Sequence, residues 1–388
     1  MSLERDFQNC DDFAAAARRR LPRIFADYID GGAFAEQTMR RNRSDFGAWA
    51  LRQRVLLPLA APDLSVPLGK TRAALPFGPA PVGFLGLYRR DGDIAVARAA
   101  AQAGTPFALS TFSINGLATI AAACGAVPDF QLYLDTDPDV NAAHLDQCRA
   151  TGVRRIFLTV DTAITSVRER DVRNGFRSVD RITPGLLWQF AQRPLWSFEI
   201  LRGGFPEVEL VRGRPEFGKG ALAQAGNLSG RLDKDLTWEV VARLRAAWDG
   251  ELIVKGITAP EDARMAARAG VDGIVLSNHG GRQLDEGCST VSQIAAVRAA
   301  LGPDLRLYVD SGFRRGTDII KALALGADFI LLGRPFAWAV AARGQAGAAH
   351  LIALLRQEIE RSLCLMGISS LEELKARGSE VLMPTART

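Results

Sequence analysis

Gly273-Ile274-Val275-Leu276-Ser277-Asn278-His279-Gly280-Gly281-Arg282 is the stretch whose reading decides the fold. Its first four residues form a short apolar run after an alanine-rich helical stretch, Ala259–Ala269, closed by Gly270. A brief apolar run behind a helix reads as a strand buried on both faces of a parallel sheet. Polar residues follow at once, so the strand ends on a histidine and an arginine. Seven other segments have the same form: Phe77–Phe84, Pro106–Ser110, Phe130–Leu134, Arg155–Val160, Glu251–Lys255, Arg306–Val309 and Phe329–Leu332. Helical stretches such as Asp93–Ala103 and Thr317–Leu325 separate most of them. Strands separated by single helices imply a parallel sheet, and eight such units imply a closed (β/α)8 barrel. A doubly wound open sheet or a two-domain chain gives no natural reason for eight repeats, and no GxGxxG follows the first strand.

The expected organisation is an N-terminal helical segment over 1–75, a barrel over 76–376 and a tail over 377–388. An insertion over 162–236 separates strand 4 from strand 5, far longer than an ordinary barrel loop. With 48% hydrophobic and 23% charged residues among 388, the chain has the composition of a globular protein with a large core. Five scattered cysteines form no CxxC pair and read as reduced thiols. The formal charge of +5 is dispersed, without a lysine-rich tail, which argues against nucleic acid and leaves a small anion or an anionic membrane surface. No secretory signal is visible in Ser2-Leu3-Glu4-Arg5-Asp6 and no apolar run spans a bilayer, so a cytoplasmic location is expected.

In a barrel, chemistry gathers where the strands end. Those ends are Gly83, Ser110, Gln131 with Tyr133, Thr159 with Asp161, Lys255, Ser277 with His279, Asp310 and Gly333 with Arg334. Burying a ring of polar groups costs free energy unless they meet a partner, so the ring marks a site. Gly312, Arg314, Gly333 and Arg334 sit after strands 7 and 8, where glycine turns and a helix N-terminus cradle phosphate. Lys255 reads either as a cation beside a bound ring system or as a Schiff-base nucleophile. No strand end gathers the carboxylates or histidines that would hold a metal. Of three histidines, His144 and His350 fall in amphipathic helical stretches, whereas His279 stands among glycine and polar residues as an acid–base group. These residues point to a phosphate-bearing organic cofactor with an acid–base histidine over it.

The series Asp27–Ala33, Gln131-Leu132-Tyr133, Leu158–Asp161, Val254-Lys255-Gly256, Ser277–Asp285 and Asp310–Thr317 resembles the FMN-dependent (S)-2-hydroxy acid oxidase and dehydrogenase family. Gly83–Ala100, Arg168–Asp171 and Asp310–Gly316 look most like its mandelate dehydrogenase branch, with L-lactate dehydrogenase close by. The resemblance implies that FMN is held by Gly83, Ser110, Gln131, Thr159, Lys255 and Ser277 at the ring and ribityl chain. Asp310, Arg314, Gly333 and Arg334 would hold the ribityl and phosphate end. It implies His279 as the base, Asp161 as the carboxylate that stabilises the imidazolium, Arg282 and Tyr28 at the substrate carboxylate, Tyr133 at the hydroxyl and Arg168 as a further positive charge. The implied partners are a small 2-hydroxy acid and a quinone or other electron acceptor, with a homotetramer as the assembly; the alternative is an oxidase that reduces O2 to H2O2.

The chain departs from the family at Pro81-Val82-Gly83, where a threonine hydroxyl is usual, and Gly83 is expected to hold down reactivity with O2. Phe112 is expected to crowd an aryl substrate. Within the insertion, Leu186–Phe190 and Leu195–Phe198, with Arg193 and Arg202 nearby, leave two readings open, one of them a peripheral membrane contact over 186–200 on the inner face of the cell membrane. A lid over the site or a subunit contact is the alternative.

Overall fold

The computed structural model describes residues 2–58, 61–176, 183–204 and 206–385. Its centre is an eight-stranded parallel sheet: β1 Phe77–Pro79, β2 Ala108–Ser110, β3 Asp129–Leu132, β4 Arg155–Thr159, β5 Glu251–Ile257, β6 Gly273–Leu276, β7 Arg306–Val309 and β8 Phe329–Leu332. Each strand pairs with the next from β2 to β8, and β8 returns to β1 with Ile330 opposite Phe77 and Leu332 opposite Pro79. The barrel read from the strand–helix repeat is therefore the fold.

The seam between β1 and β2 has a physical cause. Pro79 and Pro106 face it, and neither brings an N–H to a ladder. The Thr105 hydroxyl donates to the Phe77 carbonyl instead. A Cβ on Gly78 would fall 2.7 Å from the Pro106 carbonyl oxygen, so the seam closes only over glycine. The prolines at 79 and 81 also end β1 well before the expected Phe84. Strand β5 runs longer than expected, because Gly256, with φ +112°, makes a bulge that shifts the β5–β6 register between Lys255 and Ile257.

The N-terminal ends of the strands are sealed. Arg155 lies under the Tyr308 ring, with Nη1 2.9 Å from Asp129 and Nε 2.7 Å from Glu251. Its Nη2 donates to the Leu68 carbonyl of the hairpin Val66–Leu68/Thr71–Ala73, which covers this end. Tyr308 packs edge-on against Phe157 and Phe329 above that floor. Among the described residues, the opposite mouth is the open end of the barrel.

Around the barrel, helix Cys10–Arg20 packs on the long helix Arg334–Met366, which kinks at Gly344. Helix Arg23–Asp30 packs on Glu169–Asn174 at the start of the insertion. The insertion continues through Pro184–Ala191, Pro194–Leu201 and Ala221–Gly230 before helix Trp238–Ala247 leads into β5. At the C-terminus, Leu382–Pro384 pairs antiparallel with Trp49–Leu51, so the segment expected as a tail carries a strand; residues 386–388 lie outside the described residues.

Candidate active site

The polar strand ends join into one buried layer. Ser110 Oγ donates to Gln131 Oε1 at 2.8 Å, and Gln131 Nε2 donates to Thr159 Oγ1 at 3.0 Å. Across the mouth, Lys255 Nζ donates to Ser277 Oγ at 2.9 Å and lies 2.8 Å from Asp310 Oδ2. Buried polar groups are stable when bonded in this way, and those facing open space still offer a lone pair or N–H to a ligand. Above the layer is a cavity of about 440 Å3, within the range of ligand sites. Every residue singled out from the sequence lines it except Asp161 and Ser277.

Ser277 departs from the expectation of a direct cofactor contact. It is fully buried, and its hydroxyl accepts from Lys255 and from the His279 N–H at 3.1 Å, so it holds two lining residues from behind.

One end of the cavity is cationic. Arg334 donates to the carbonyls of Ile29, Gly280 and Gly31 at 2.8–2.9 Å, and Arg314 donates from Nη1 to its neighbour's carbonyl at 2.7 Å. Among the described residues neither is paired with a carboxylate. The Nε of Arg314 is buried without a partner, and its guanidinium lies 4.7 Å above the Trp338 ring. Burial pulls Arg314 down to about 10, and burial with the charges of Arg282 and Arg314 pulls Arg334 down to about 9. Two desolvated cations with one orphaned donor, beside Gly312, Gly333 and a helix opening at Arg334, form a donor set that suits a phosphate.

A histidine–aspartate pair stands at the end of β6. His279, Gly280 and Gly281 have φ of +57°, +69° and +75°, a left-handed run that is strained at the histidine by about 1–3 kcal/mol. A Cβ at Gly281 would lie 2.6 Å from the Met39 backbone nitrogen, so the N-terminal segment seats this turn. His279 Nδ1 lies 3.0 and 3.1 Å from the two carboxylate oxygens of Asp161, and Nε2 lies 3.5 Å from the Tyr133 hydroxyl. Burial pushes Asp161 up, but the charge and hydrogen bond of His279, then the charge of Lys255, outweigh it and hold the carboxyl below its usual range. An ionised Asp161 only accepts, so Nδ1 carries the proton and Nε2 faces the cavity as a base. The bulge explains how Asp161 comes so close: a Cβ at Gly256 would fall 2.6 Å from that of Asp161. Burial, then Asp161, push the Tyr133 phenol well above its ordinary range, so it stays a donor.

Beside His279 is an anion site backed by rings. Arg282 Nη1 donates to Tyr28 O at 2.6 Å and Gly31 O at 3.3 Å. The guanidinia of Arg282 and Arg168 lie 4.6 and 5.3 Å from the Tyr28 ring centre, and Arg168 Nε donates to the buried Asp171 at 2.5 Å. Phe176, Tyr28, Phe84, Phe112 and Tyr133 follow one another around the wall, with centroid separations of 4.0, 6.0, 5.6 and 5.3 Å. Phe84, Phe176 and Ser311 were not singled out from the sequence. Phe176 lies in the insertion, outside any strand–helix period. Ser311 adjoins a polar strand end, a signal that was there to follow; its hydroxyl accepts from Gly280 N–H and donates to Asp310.

The loop that carries Phe112 is held by Asp93, which accepts from the N–H groups of Ile114 and Asn115 at 3.2 and 3.4 Å. Burial, against these and the bonds from Ser113 and Gly86, pushes its carboxyl up to about 7. The unfolded carboxyl ionises near 4, so folding stability is lost as the pH rises from about 4 through 7. Asn keeps an acceptor and removes the titration. The melting temperature of Asp93→Asn relative to wild type should therefore climb between pH 4 and 7 and level off above; a flat difference in scanning calorimetry contradicts this.

A barrel with a phosphate end, hydrogen-bonding groups for a ring edge and an Asp–His pair over an anion site defines an oxidoreductase built around a phosphorylated ring cofactor. The chain belongs to the FMN-dependent dehydrogenase family, which its sequence matches over residues 17–380. It is 40% identical over 369 residues to an L-lactate dehydrogenase of Pseudomonas aeruginosa, covering 94% of this chain and 96% of that one. Among solved structures it is similar to monotopic membrane protein (S)-mandelate dehydrogenase, with a TM-score of 0.91, 33% identity and coverage of 98% and 100%. Mandelate oxidase is similar too, at a TM-score of 0.81, 33% identity and coverage of 98% of both chains. The cofactor is FMN, and the chain is an enzyme of the (S)-2-hydroxy acid dehydrogenase and oxidase family.

Proposed function

We propose that this enzyme oxidises an (S)-2-hydroxy acid with an aryl side chain, mandelate-like, to the 2-oxo acid and passes the electrons to a quinone or another carrier. The observation that carries this reading is the Asp161–His279 pair, with Nε2 turned toward Tyr133 in a cavity where two arginines await a carboxylate. Bound FMN supplies the two-electron acceptor. Arg282 and Arg168, both close to the Tyr28 ring, hold the substrate carboxylate. The Tyr133 hydroxyl donates to the substrate oxygen, which turns the reacting carbon toward the ring site. His279 Nε2 receives the proton that leaves the substrate, and Asp161 stabilises the imidazolium that results. The rings of Phe84 and Phe176 exclude water and give an aryl side chain an apolar wall, while Phe112 narrows the space beside it. Lactate is the second reading, favoured by the higher identity to the L-lactate dehydrogenase.

Anaerobic visible spectra test both. Addition of (S)-mandelate should bleach the flavin band faster than equal (S)-lactate; faster bleaching by lactate reverses the substrate order, and no bleaching by either overturns the reaction class. The dehydrogenase reading over the oxidase alternative rests on Gly83, expected to hold down reactivity with O2; a Cβ there would lie 2.7 Å from that of Phe112. Rapid peroxide formation during turnover would favour the oxidase.

The quinone reading is supported by the helix pair Pro184–Ala191 and Pro194–Leu201. Leu187, Trp188, Leu195 and Phe198 are 55%, 65%, 75% and 68% exposed. Leu186, Trp196 and Ile200 are buried, Phe190 stacks on Phe25, and Trp196 Nε1 donates to the Leu87 carbonyl. One side of the pair thus docks on the body and the other offers apolar side chains near Arg193 and Arg202, the pattern of an interfacial membrane contact. Among the described residues no helix is long and apolar enough to cross a membrane. Replacing Trp188, Leu195 and Phe198 together by Ser leaves the docked side intact and should abolish flotation with anionic liposomes; undiminished flotation rules out this membrane contact.

A further inference from the structure

The C-terminal turn of helix Arg23–Asp30 supports two arginines that reach the cavity from different strand ends. Arg282 donates to the carbonyls of Tyr28 and Gly31, while Arg334 donates to those of Ile29 and Gly31. The Gly31 carbonyl takes one bond from each. Carbonyls at a helix C-terminus lack partners within the helix and carry the negative end of its dipole. Here they stand in for a carboxylate beneath two buried guanidinia.

That turn is itself anchored. Asp30 Oδ1 accepts from Trp338 Nε1 at 2.8 Å, and Oδ2 pairs with Arg18 at 2.5 Å. Trp338 belongs to the helix that opens at Arg334, and the Arg314 guanidinium lies over its ring. Beside the bonds of Arg334 itself, the Asp30–Trp338 hydrogen bond therefore ties the helix end that seats Arg282 and Arg334 to the helix that bears Arg334. Asp30 and Trp338 are not among the residues lining the cavity.

We propose that Asp30, through its bond to Trp338, is a positioning residue that sets the substrate-carboxylate and cofactor-phosphate subsites together. The geometry works through shared carbonyls: when the helix end shifts, Tyr28, Ile29 and Gly31 move as a unit, and both guanidinia lose alignment. Misplacement by an ångström is enough to weaken a charge-assisted bond severalfold. The inference rests on Arg282 serving the substrate and Arg334 the cofactor.

Two readouts on the FMN-loaded enzyme test it: the rate of FMN release followed by flavin fluorescence without substrate, and KM against kcat. Asp30→Ala and Trp338→Phe should each raise FMN release and KM in parallel, by roughly tenfold, with kcat within about twofold. Asp30→Asn keeps an acceptor for the indole and should restore both readouts toward wild type. A change in one readout without the other overturns the inference, as does an Asn variant as impaired as the Ala variant. Release needs no turnover, so an unchanged release rate overturns it whatever the enzyme oxidises. Failure of the functional reading shows separately, as an FMN-bearing wild type that oxidises no 2-hydroxy acid.

Discussion

His279→Ala is expected to purify with its FMN and to turn over about two to four decades more slowly than wild type, the range that a positioned base contributes. The argument is geometric. Nδ1 is held by both oxygens of Asp161, so the ring cannot turn away, and Nε2 is left aimed into the cavity beside Tyr133. Cofactor retention should survive because the cationic end, Arg314 and Arg334, owes nothing to the imidazole side chain; Arg334 bonds the carbonyl of Gly280, not His279. Alanine carries the same Cβ at this left-handed φ as histidine does, so the turn is kept without a large new strain. The yellow colour and the turnover number are read on the same preparation. Near-normal turnover in a yellow variant would remove His279 from the chemistry.

Arg282→Met should lower kcat/KM by about two to three decades, chiefly through KM, since a bidentate carboxylate loses two charge-assisted bonds of roughly 1.5–3 kcal/mol each. Both hydrogen bonds of Arg282 to the protein leave from Nη1, so Nε and Nη2 remain for the ligand. Arg168 differs: its Nε is taken by Asp171, which offsets its charge. Arg168→Met should therefore cost about tenfold less than Arg282→Met. Equal losses in the two variants would mean that the carboxylate is shared evenly, and a larger loss at Arg168 would reverse the assignment. Methionine also releases Arg334 from a neighbouring charge that helps to pull its guanidinium down, so FMN retention should not suffer electrostatically.

The strand–helix repeat was legible because each strand is a local pattern. Where the structure differs from that pattern, local chemistry accounts for it: Pro79 and Pro81 cut β1 short, and Gly256 extends β5 through a bulge. The strand-end residues were legible for the same reason, since a polar side chain just beyond an apolar run falls at the mouth whatever the loops do. Ser277 obeyed that rule yet stands behind Lys255, because its hydroxyl is taken by the Lys255 ammonium and the His279 N–H.

By itself, then, the sequence determined the barrel, the polar ring of its mouth, the cationic end and the histidine with its arginine three residues on. Tertiary structure alone decided what meets those groups. Phe176 comes from the insertion, the carbonyls of Ile29 and Gly31 from an N-terminal helix end, and the floor from Arg155 with Asp129 and Glu251. The reason lies in range: hydrophobic periodicity reports which face of its own element a residue occupies. A hydrogen bond between residues 31 and 334 depends on how separate elements pack, and no local period records that.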